Sequence, residues 1–89
     1  MSPRKNKHRA DFDPPVFLAI GQAGQTVAVT SPPQALELLL VQWPIRDGMM
    51  YRHAKHACYL AIEGSIDPGA ARNAFARAAT EAGILVKSK

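Results

Sequence analysis

Apolar and polar residues alternate along this chain with two different periods, and the change of period divides it into segments. Val16-Phe17-Leu18-Ala19-Ile20 is a short unbroken apolar run, which predicts a strand buried on both faces. Gln25 to Thr30 alternates instead, with Thr26, Ala28 and Thr30 opposite Val27 and Val29, and predicts a second strand. Gly21-Gln22-Ala23-Gly24 between them reads as a hairpin turn, because its two glycines tolerate positive φ.

From Ser31 the period becomes helical. Ser31 is an N-cap, Pro32 fits the first helical position, and Gln34 completes a capping box. Pro44 disfavours α geometry at Trp43 and stops the helix there. Ala35, Leu36, Leu39, Leu40 and Trp43 are the expected buried face. Leu38 and Val41 fall nearly opposite, on either side of Glu37. A second helix is predicted from Gly48 to about Ile62, capped by Asp47 and closed by Gly64. Met50, Tyr51, Ala54, Ala57, Cys58, Ala61 and Ile62 should face the core, and Arg52, Lys55, His56, Tyr59 and Glu63 the solvent. A third helix starts at Asp67-Pro68, repeats Ala71, Phe75, Ala78, Ala79 and Ala82 along one stripe, and stops at Gly83. Ile84-Leu85-Val86 then reads as a third strand. The expected fold is α+β, in the order ββαααβ, with the helices on one face of a small antiparallel-type sheet.

Eighty-nine residues accommodate one domain with a modest core. Residues 1–14 are expected to be a flexible basic tail ahead of a domain over 15–87, because Arg4, Lys5, Lys7 and Arg9 outnumber Asp11 and Asp13 and a proline pair follows. That tail holds half of the net charge of +4. A single cysteine, Cys58, excludes an internal disulfide framework and suits a reducing compartment. No apolar run reaches the length of a membrane span, and the N-terminus lacks the apolar core of a secretory signal, so a cytoplasmic location is expected.

Candidate chemistry is sparse. His53 and His56 lie three apart, but two ligands are too few for a closed zinc site. Cys58 falls on the buried face, where a thiol behaves as a small hydrophobe rather than a nucleophile. Asp47 and Asp67 are accounted for as caps, and Glu37, Glu63 and Glu81 are scattered. No catalytic residue, cofactor site or metal site is assigned, and an enzyme is not expected.

An early Pro-Val before the first strand, a leucine-rich helix ending in Trp43-Pro44, Ala54-x-x-x-Cys58 with Gly64 beyond, and Ala71-Arg72-x-Ala74-Phe75-x-x-Ala78-x-x-Glu81-Ala82-Gly83-Ile84 form a combined pattern. It resembles the bacterial domain of unknown function 982 family over about residues 15 to 86. The resemblance implies a small cytoplasmic α+β domain with no assigned activity, and carries over no site residues.

Two surface features remain. Leu38 and Val41 add apolar area opposite the main face of the first helix; burying both would contribute about 3–5 kcal/mol. Either a second helix or a partner should cover them. Arg52, Lys55, His56 and Tyr59 form a basic strip that, with Arg72, Arg77 and the tail, could contact phosphates. The expected function is a non-enzymatic protein-interaction module that self-associates as a homodimer or takes another protein partner, through Leu38, Val41, Arg52, Lys55, His56 and Tyr59. The alternative is a weak nucleic-acid or acidic-partner binder.

Overall fold

The structure, a computed structural model, describes residues 11–21 and 25–86. Strand β1 spans Val16–Ala19 and pairs antiparallel with β2, Thr26–Val29, in the register Val16↔Val29 to Ala19↔Thr26. Most of the turn between them lies outside the described residues. Three helices follow: α1 (Pro32–Val41), α2 (Met49–Ile62) and α3 (Pro68–Glu81). The chain is an α+β domain whose core lies between the strands and the helices.

Alternate residues of β1 point inward, and Val16 and Leu18 are sealed in the core. Phe17 and Ala19 on the other side are only half-buried, so β1 is not enclosed on both faces as its unbroken apolar run predicts. The third strand is reduced to a single antiparallel bridge, Leu18↔Leu85. The Ala19 amide donates to Ile84 O at 2.8 Å, and the Val86 amide to Phe17 O at 2.9 Å. Among the described residues, Ile84 to Val86 join β1 through this bridge alone.

Phe12 corrects the expected boundary at residue 14. It is buried, its ring lies 5.9 Å from that of Phe75, and its amide donates to Thr30 O. Arg72 Nε also holds the Pro14 carbonyl. The packed unit therefore extends back at least to Phe12; residues 1–10 lie outside the described part.

Most helix ends lie near the coded signals, though the Asp67 side chain makes no cap hydrogen bond at α3 and α1 ends at Val41, before Trp43. Ser31 Oγ accepts from the Gln34 amide, while Gln34 reaches back to the Thr30 amide and Ala28 O. Gly64 (φ +83) and Gly83 (φ +74) close α2 and α3. At each of these ends, paired hydrogen bonds (Gly64 to Ala61 and Ser65 to Leu60; Gly83 to Thr80 and Ile84 to Ala79) recover the last carbonyls. The start of α2 also departs from them, since its N-cap is Gly48 rather than Asp47. Its Met50 and Tyr51 amides are instead bound by the Glu81 carboxylate, each at 3.1 Å, from the far end of α3.

Phe75 is the central plug, fully buried and 5.3 Å from the Trp43 ring. The alanines at 71, 78 and 79 are also fully buried and let α3 lie close against α2. Ile62, expected in the core, is 45% exposed at the end of α2.

Candidate functional site

Helix α1 decides what surface the domain presents. Its C-terminal carbonyls are taken up one by one. The Gln42 amide takes Leu38 O, the Tyr51 hydroxyl takes Leu39 O at 3.1 Å, and Arg46 donates to Leu40 O and Val41 O. The helix ends at Val41, so Trp43 enters the core from outside it. The expected face centres between Leu39 and Leu36; the buried residues of the helix are instead Pro32, Ala35, Leu38 and Leu39, a face rotated by about 60° at 100° per residue.

Leu38 is accordingly withdrawn from the expected interaction surface: it belongs to the core. Leu40, expected to be buried, is 51% exposed. Val41 is exposed as expected, yet it does not line the hollow described next.

Between α1 and α2 runs an open groove of about 400 Å³, lined by Leu36, Leu40, Arg52, Lys55, His56 and Tyr59. The four α2 residues are spaced i, i+3, i+4, i+7, which places them in one row along the helix. The floor is apolar, made by Leu36, Leu40 and the half-exposed Tyr59 ring. Arg52, Lys55 and His56 supply the basic wall. Lys55 Nζ lies 5.0 Å from the centroid of the Tyr51 ring, which steadies its stem beside the groove. Helix α2 contains no Asp or Glu to neutralise this wall.

Among the described residues, the other basic side chains do not line it. Arg72 borders a separate hollow of about 180 Å³ with Pro15, Val16, Phe17 and Ala76, and its guanidinium is occupied by Pro14 O and Asn73 Oδ1. His53 is exposed on α2 outside the groove lining. Among the described residues, no three His, Cys, Asp or Glu side chains converge on a metal-sized site. No described helix is long and apolar enough to cross a membrane.

Cys58 lies on the core-facing side of α2, fully buried, and burial pushes its thiol up to about 12 from 9.0. Only the thiolate attacks electrophiles, so a disulfide reagent at pH 8 should label Cys58 no faster than the domain opens. Labelling should appear at the urea concentration where circular dichroism shows unfolding; rapid stoichiometric labelling of folded protein would contradict this burial. Because the folded state holds the thiol proton more tightly, stability should be insensitive to this group below pH 9 and fall as pH rises from 9 toward 12.

A family model described as protein of unknown function, DUF982, matches residues 14–86. The chain belongs to this family. The DUF982 match spans β1 to the C-terminal bridge, and therefore both walls of the groove. No curated protein and no solved structure matches the chain.

Proposed function

We propose that this protein is a non-enzymatic interaction module that docks a partner in the α1–α2 groove. The observation that supports this reading is the coincidence, in one open groove, of three exposed or half-exposed apolar side chains and three basic ones. Apolar area left open to water at a concave site favours association, and a rim of charge selects the partner. Val41, Ile45 and Met49 extend the exposed apolar surface around the α1–α2 connection.

A photo-crosslinker at Leu40 tests the reading in cells. It should give a discrete adduct that the same group at Asn73, exposed on α3, does not, and Arg52→Glu should abolish that adduct. An adduct at twice the mass of the chain would identify self-association. Identical products at Leu40 and Asn73, or none at Leu40, would count against a docking groove.

A further inference from the structure

We infer that the occupant of this groove is an amphipathic helix of another protein, with acidic residues flanking its apolar edge. The inference rests on the docking reading above and names the partner's chemistry.

The walls set the occupant's backbone. Both are helices, whose N–H and C=O groups are spent internally along their length. An extended segment buried there would find no ladder and leave its own polar groups unpaired, whereas a helix satisfies its own. The sheet offers little alternative. On the outer edge of β2, Gln34 takes Ala28 O and the Thr30 amide, and Phe12 takes Thr30 O; on the other side of β1 lie Ile84 to Val86.

Length follows from the row on α2. Arg52 to Tyr59 covers two turns, about 10 Å at 1.5 Å per residue. A helix lying beside it presents apolar anchors at i, i+3 or i+4, and i+7 to Leu36, Leu40 and Tyr59.

Charge argues against a second copy and selects the partner. Helices α1 and α3 each carry one carboxylate, Glu37 and Glu81, and α2 carries none. Glu81 is already bound to the α2 amides. Among the described residues, no helix can therefore set two carboxylates against Arg52 and Lys55. A two-fold pairing of grooves would also bring these cations toward their own copies, which disfavours it. An acidic helix from a different protein meets the wall with opposite charge.

The test uses the full ¹⁵N-labelled chain and three helical peptides of about five turns. They share one leucine stripe, and their flanking positions are all Glu, all Gln or all Lys. The Glu peptide should shift the amides of Leu36, Leu40, Arg52, Lys55, His56 and Tyr59, and bind at least about tenfold more tightly than the Lys peptide. Arg52→Glu with Lys55→Glu, folded by circular dichroism, should reverse that order. Equal binding of all three peptides would overturn the acidic class while leaving a docking groove. Silence at these amides with every peptide would remove the groove reading as well. Stronger shifts of the same amides by a short single-stranded oligonucleotide, or by raising the protein concentration alone, would overturn the inference in favour of phosphate or of a second copy.

Discussion

Phe75→Ala should remove most of the domain's stability. The ring is fully buried and packs against both Trp43 and Phe12, so truncation removes the one large side chain joining α3, the α1–α2 connection and the segment ahead of β1. Phenylalanine-to-alanine changes at such sites cost about 3–5 kcal/mol. Domains of this size hold stability at the low end of the usual range, roughly 5 kcal/mol, so the loss consumes most of it. Collapse of the neighbours into the hole is limited, because Ala71, Ala78 and Ala79 on the same helix have no side-chain length with which to fill it. Trp43 is the chain's only tryptophan and is buried beside Phe75, so its emission reports the change directly. A partly red-shifted spectrum without urea and a urea midpoint moved close to zero are expected. Phe75→Leu should keep the transition with a smaller loss, and Ala70→Gln on the exposed side of α3 should stay within about 0.5 kcal/mol of the parent. A Phe75→Ala protein with the parent's urea midpoint would show that the core is not organised around this ring.

Glu81→Ala should cost about 1–2 kcal/mol, a large effect for an exposed carboxylate. It deletes both hydrogen bonds that cap α2 and the negative charge at that helix's N-terminus. Gly48→Ala should cost a similar amount for the same reason. Its backbone (φ −76) suits any residue, but the added Cβ would overlap the Glu81 carboxylate and push it off the amides. The two changes should therefore be strongly non-additive: once Glu81 is alanine, Gly48→Ala should be nearly neutral. Urea midpoints of the four proteins measure this coupling. Additive losses would mean that the carboxylate and the glycine act separately.

The groove divides the same way between what is local and what is not. Its α2 wall is readable in the chain, because Arg52, Lys55, His56 and Tyr59 recur at i, i+3, i+4, i+7 and any helix through them must align them. Its α1 wall is not. Leu36, Leu38, Leu39, Leu40 and Val41 surround a single polar marker, Glu37, so several rotations of the helix bury a similar apolar area. The rotation is selected by where Trp43 enters the core and by the Tyr51 hydroxyl on Leu39 O, both contacts across elements. The burial of Phe12 is not legible for a related reason: its neighbours are charged and prolines follow, yet one aromatic side chain suffices to anchor the segment.

By itself the chain determines the α+β class, the hairpin, the starts of α1 and α3 at Ser31 and Asp67, and the stops at Gly64 and Gly83. These rest on backbone φ, capping and side-chain period, which act within a few residues. Tertiary structure alone decides which leucine of α1 meets water, that Glu81 caps a helix beginning more than thirty residues earlier, and that Ile84 to Val86 contribute one bridge instead of a strand. Each of these depends on the relative placement of whole elements. That placement comes from close packing around Phe75, which no short stretch of residues encodes.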